Sequence, residues 1–91
     1  MSWYVKPLLR QNYPNPFNPT TTIEFRIQNS QPTILKVYDI LGREVVTLVN
    51  EEKSAGAYTD QWDASGVSSG VYFYRIKAGD FVQTKRMMVV R

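Results

Sequence analysis

The sequence predicts an all-β domain, an antiparallel sandwich of six to seven strands, on three observations. Apolar residues after Thr20 recur at every second position, as Ile23, Phe25 and Ile27 do against Glu24 and Arg26, which is the spacing of a half-buried strand. Turn residues separate the apolar runs at intervals of roughly 8–12 residues, as expected of a sandwich with short strands. Three prolines, Pro14, Pro16 and Pro19, exclude helix from the stretch before the first run, since each fixes its own φ and holds the preceding residue extended. Together these features favour a sandwich over a barrel or an α+β fold, and the fold class expected is an immunoglobulin-like one.

In chain order, residues 1–11 read as a linker, with a short edge strand between Val5 and Leu9, and residues 12–91 as the domain. Tyr13 and Phe17 are expected to cap one end of the core from the proline-rich lead-in. Thr21 to Ile27 forms the first firm strand. After Pro32, the run TILKVYD sets Leu35 and Val37 against Ile34, Lys36 and Tyr38. Asp39 and Gly42 hold the first and fourth positions of a type I turn followed by a bulge, which leads into a strand over Arg43–Val49. Leu41, Val45, Leu48 and Val49 also fit helical spacing. Four β-branched residues, Val45, Val46, Thr47 and Val49, together with Gly42 at the would-be helix start, favour strand. Gly56 turns the chain into Tyr58–Trp62, and Asp63 to Gly66 repeats the Asp-x-x-Gly turn. Val71 to Lys77, almost wholly apolar, reads as a central strand. Ala78-Gly79-Asp80 turns into FVQTKRMMVVR.

Composition limits the chemistry. The 91 residues make one domain, with 43% hydrophobic, 13% aromatic and 21% charged residues, enough for one modest core. There is no cysteine and no histidine, which removes disulfides, thiolate and imidazole metal sites, Ser/His and Cys/His nucleophile pairs and the usual general base. No enzyme activity and no cofactor is therefore expected. No apolar run approaches the roughly 20 residues of a membrane-spanning helix, and Met1 to Lys6 lacks the apolar stretch of a signal peptide. An exported parent would carry its signal upstream. The net charge of +3 is lopsided: residues 1–70 hold six basic and seven acidic residues, residues 71–91 five basic and one acidic. The excess is too small to favour nucleic acid as a partner.

Five segments in order, NYPNPFNPTTTIEF, VYDILGREVVTLV, the glycine before Ala57-Tyr58, WDASGVSSGVYFYRI and the final QTKRMMVVR, resemble the type A C-terminal sorting domain of type IX (Por) secretion. The Tyr-Asp-x-x-Gly-Arg turn and Ser-Gly-Val-Tyr strand also resemble the immunoglobulin-like domain of the flagellar hook-capping protein. The sorting-domain resemblance implies a non-catalytic tag on an upstream cargo domain. Such a tag crosses the periplasm, is recognised by the outer-membrane translocon and is removed by a sortase-like protease, so that the cargo reaches the cell surface or medium. Cleavage would fall within or before Met1 to Gln11. The alternatives are a structural assembly module of the hook-capping type and a carbohydrate-binding appendage using Trp3, Tyr4 and Trp62.

Gly70 and Tyr72 match the family's Gly-x-Tyr signature. Gly70 permits a positive φ or close backbone approach, and Tyr72 can bury its ring while its hydroxyl reaches a loop carbonyl. Lys85, Arg86 and Arg91 stand on an expected edge strand that a receptor could extend by β-augmentation, although edge cations also serve to block aggregation. Asn15 and Pro16 belong to a Pro-x-x-Pro spacing that could dock an aromatic groove, or to a stiff cover over the core. Asp39, Gly42, Asp63 and Gly66 are structural turn residues, and Trp62 is a core residue. Asp39, Asp63 and Asp80 lack the spacing of a calcium loop.

Overall fold

The computed structural model describes residues 6–91, which fold into seven strands with no helix among them. The strands are β1 (Leu8–Leu9), β2 (Thr20–Ile27), β3 (Gln31–Tyr38), β4 (Glu44–Lys53), β5 (Gly56–Asp63), β6 (Gly70–Ala78) and β7 (Phe81–Val89). A three-stranded sheet in the order β1-β2-β5 packs on a four-stranded sheet in the order β4-β3-β6-β7, and every pairing is antiparallel. The molecule is an immunoglobulin-like sandwich. Of the edge strand expected between Val5 and Leu9, Leu8 and Leu9 pair with Arg26 and Phe25; Val5 lies outside the described residues.

Alternation decides which side chains meet between the sheets. Ile23, Phe25 and Ile27 of β2, Leu35 and Val37 of β3, and Tyr74 and Ile76 of β6 are all fully buried. Large aromatics knit the layer: Phe17 and Trp62 meet edge to face with ring centroids 5.8 Å apart, and Trp62 meets Tyr72 the same way at 5.7 Å. Such contacts add about 0.5–1.5 kcal/mol each beyond the area they bury.

The mixed spacing of the fourth element has a structural cause. Two register shifts interrupt its pairing with β3, between Leu35 and Lys36 and between Val37 and Tyr38, so that Leu48 and Val45 have no direct partner across the ladder. A bulge places an extra residue on one strand and resets the alternation. Val45, Val46, Leu48 and Val49 therefore all touch the core at intervals that imitate a helical stripe. The element is nevertheless a strand of ten residues.

The first Asp-x-x-Gly turn forms as expected. The Gly42 amide donates to the Asp39 carbonyl at 2.9 Å and Gly42 takes φ +82°, a conformation that costs other residues about 1–2 kcal/mol. The second does not repeat it. At Asp63 the turn moves one residue on: the Val67 amide donates to the Ala64 carbonyl at 3.1 Å, and Gly66 keeps a negative φ. Asp63 ends β5, and its Oδ1 accepts the Ser65 amide at 2.9 Å.

The proline-rich lead-in also departs from expectation in one respect. Phe17 is 2% exposed and caps the core as anticipated, whereas Tyr13 is 80% exposed. Tyr13 pairs with Thr22 as an isolated bridge, exchanging backbone hydrogen bonds in both directions, and its ring points away from the core.

Candidate functional site

The candidate site is the surface that carries the recognition residues expected from the sequence. Its parts are the lead-in at residues 10–17, the last strand, and the corner where Gly70 and Tyr72 open β6.

The lead-in is stitched to the far end of the chain. The Tyr74 hydroxyl donates to the Arg10 carbonyl at 2.6 Å and accepts the Asn12 amide at 2.7 Å. Asn12 Nδ2 donates to Thr21 Oγ1 at 2.9 Å, and the Thr21 hydroxyl donates to the Pro14 carbonyl at 2.8 Å. Asn12 and Thr21 are buried polar residues, and no buried side-chain polar atom among the described residues lacks a partner. A network so fully satisfied fixes the path of the lead-in rather than loosening it. Burial pushes the Tyr74 phenol up to about 12, against the opposing effect of the bond from Asn12.

The last strand is an edge, as the sequence suggests, but half of that edge is already occupied. Even-numbered residues of β7 turn their backbone groups outward. Gln11 Nε2 donates to the Arg86 carbonyl at 2.7 Å, Asn15 Oδ1 accepts the Met88 amide at 3.0 Å, and the Phe17 amide donates to the Met88 carbonyl at 3.0 Å. The Val90 amide then donates to the Phe17 carbonyl at 3.0 Å, so Phe17 bridges to the strand in parallel. Among the described residues the outward amides and carbonyls of Val82 and Thr84 take no such partner.

The three cations singled out in the last strand do not converge. Lys85 lies on the same side of β7 as buried Met87 and Val89 and is itself half-buried, whereas its neighbour Arg86 is exposed on the opposite side. The Arg91 guanidinium donates to the carbonyls of Ala64 and Val67 and so pins the turn after β5. Asn15 serves as the amide clamp just described, Pro16 is exposed beside it, and burial of Phe17 leaves the Pro-x-x-Pro spacing as a cover over the core.

At the β6 corner, Gly70 takes φ +149°, a region open in practice to glycine alone. No atom would crowd an added Cβ there, so backbone conformation and not close approach requires the glycine. Two residues on, the Tyr72 hydroxyl donates to the Ser68 carbonyl at 2.8 Å, while the ring is 8% exposed against Trp62. Gly70→Ala is expected to cost about 1–3 kcal/mol through backbone strain, to be read from the urea midpoint at unchanged m-value.

The other turn residues stay local. Asp39 Oδ1 accepts the Leu41 and Arg43 amides, both at 2.9 Å, and Oδ2 accepts Arg43 Nε at 2.8 Å. The Arg43 amide, its guanidinium and the Leu41 amide hold the Asp39 carboxyl below its ordinary range. The Ser65 hydroxyl and amide do the same for Asp63. Trp62, 5% exposed, is a core residue and offers no platform for sugars; Trp3 and Tyr4 lie outside the described residues.

Tyr74, Asn12, Gln11 and Phe17 as a backbone clamp were not singled out from the sequence. Tyr74 left a signal, since alternation puts it on the face of Tyr72 and Ile76, and a tyrosine on a buried face needs a partner for its hydroxyl.

Comparison with known proteins adds three findings. The family model for the secretion system C-terminal sorting domain matches residues 11–90. No curated protein matches the chain. Among solved structures, the crystal structure of dimeric latent PorU from Porphyromonas gingivalis is similar over 94% of this chain and 10% of its own, with a TM-score of 0.69 at 18% identity. That likeness is one of fold.

Proposed function

The chain belongs to the secretion system C-terminal sorting domain family, and from that membership we propose that it is a non-catalytic address read by the type IX outer-membrane translocon and then removed by a sortase-like protease. It would direct an upstream cargo domain through the periplasm to the cell surface or medium. The observation that carries this reading is the family match, which takes in the lead-in, all the strands from β2 onward and the last strand together. We place the processing bond before Pro7, because Leu8 and Leu9 are paired into the sheet and Leu9 is buried, out of reach of a protease.

Recognition is assigned to the open half of the β7 edge at Val82 and Thr84, with Arg86 and Lys85 beside it. The test is a periplasmic reporter fused to residues 1–91 in a type IX-competent host, followed to the cell surface by protease accessibility. Surface arrival is expected for the parent domain and retention in the periplasm for Lys85→Glu/Arg86→Glu, with the urea midpoint of the purified domain unmoved. Failure of the parent fusion to reach the surface would overturn the sorting reading; normal export of the charge-reversed fusion would overturn the edge assignment alone.

A further inference from the structure

The face of the four-stranded sheet turned away from the core carries a second arrangement, which shares only Arg86 with the β7 edge. Across three strands, Tyr38 stands opposite Phe73, and Phe73 opposite Arg86. In the neighbouring rows Lys36 stands opposite Arg75, and Ile34 opposite Lys77. Aromatic or aliphatic surface and cationic heads thus alternate over one sheet face, where neighbouring rows lie about 7 Å apart.

Charge on this face is unbalanced. Of the carboxylates on or beside it, Glu44 is held by Lys36 at 2.9 Å and Asp39 by Arg43 at 2.8 Å, which leaves Glu52, opposite Pro32 at the far end, as the one without an ion pair among the described residues. Arg75, Lys77 and Arg86 make no ion pair among the described residues, and all three are exposed. Among the hollows that indent the face, two are lined in part by Arg75. One of about 150 Å³ is lined by Ile34, Lys36, Tyr38, Arg75 and Lys77. The other, of about 290 Å³, has Tyr38, Phe73 and Arg75 among its walls. Each is the size for a single side chain, and each presents carbon surface beside a cation.

We propose that this face docks an acidic segment of a partner protein, with carboxylates set against Arg75, Lys77 and Arg86 and an apolar side chain seated beside Tyr38 and Phe73. Charge complementarity fixes the sign of the partner, and an extended polypeptide can seat one side chain in each hollow. Arginine suits the central place because its planar fork can hold a carboxylate with two bonds while lying along aromatic carbon. The biological partner follows from the sorting reading, since an address must be read by another protein; the binding chemistry does not depend on it.

The test is a titration of the isotopically labelled domain with the peptide acetyl-Glu-Leu-Glu-Phe-Glu-amide, followed by amide chemical shifts. Shifts concentrated on Tyr38, Phe73, Arg75 and Lys77 are expected, weakening with added salt and absent with a peptide carrying lysine in place of glutamate. Arg75→Glu/Lys77→Glu should bind about tenfold more weakly or worse, with an unchanged urea midpoint. Shifts confined to other parts of the surface, equal binding by the variant, or binding only to phosphatidylglycerol vesicles would each overturn the proposal. The reporter fusion separates the two readings: an exported parent with no peptide binding removes this docking face, and peptide binding without export removes the sorting role.

Discussion

Trp62→Ala is expected to lower the unfolding free energy by about 3–5 kcal/mol, the cost of emptying a large aromatic site in a core that relaxes only in part. A chain of 91 residues, at the usual 0.05–0.15 kcal/mol per residue, is stable by roughly 5–14 kcal/mol, so this single change removes a large share. The site is costly because Trp62 packs against two other rings of the core. Its ring meets Phe17 from the lead-in and Tyr72 from β6, and it stands opposite buried Thr21 in the ladder. Urea denaturation followed by circular dichroism gives the magnitude. A loss under about 1 kcal/mol would mean that the three aromatics do not act as one cluster.

Tyr74→Phe is the second large effect, although it removes one oxygen and no ring. The hydroxyl serves the Arg10 carbonyl and the Asn12 amide at once, and orphaning a buried polar group costs about 1–3 kcal/mol. A loss of about 2–4 kcal/mol is expected for the pair, with faster hydrogen exchange at Asn12. Alkali provides an independent check. Tyr74 has its folded pKa raised from 10.0 to about 12, so its contribution is complete below the unfolded value and is lost as pH rises through that interval. The parent should therefore weaken as the pH rises above about 10, and the part of that slope due to Tyr74 should vanish in the phenylalanine variant. An unchanged alkaline slope would show that the phenol is not held as described.

Much of the sandwich was legible because period-two alternation is imposed by the pleat itself, and it survives wherever pairing is regular. Ile23, Phe25 and Ile27 fall on the core side as read, and the Gly70 and Tyr72 corner forms the tyrosine bond anticipated from residue types alone. Difficulty arose where pairing is irregular. The bulges opposite β3 disguised β4 as a possible helix, and Asp63 took the Asp-x-x-Gly pattern without its turn because β5 continues through Asp63 before the chain bends. The recognition surface was the least legible part. Lys85 and Arg86 are adjacent in sequence and on opposite sides in space, Arg91 is spent on two loop carbonyls, and the clamp on β7 joins Gln11 and Asn15 to residues more than seventy positions away. Local spacing carries no trace of contacts that distant. The alternation that defines the docking face was present in the strands, but its charge imbalance emerges only when Glu44 and Asp39 are seen to be neutralised.

The bonds from Asn15 and Phe17 to Met88 and Val90 bear on how the domain can be made. A ribosome delivers the lead-in first and its partners almost last, so the sheet edge and the Phe17 cap cannot close while the polypeptide is still being synthesised up to residue 90. Until then the aromatic layer lacks one of its walls. A domain wired in this order cannot complete its fold until those last residues have been made.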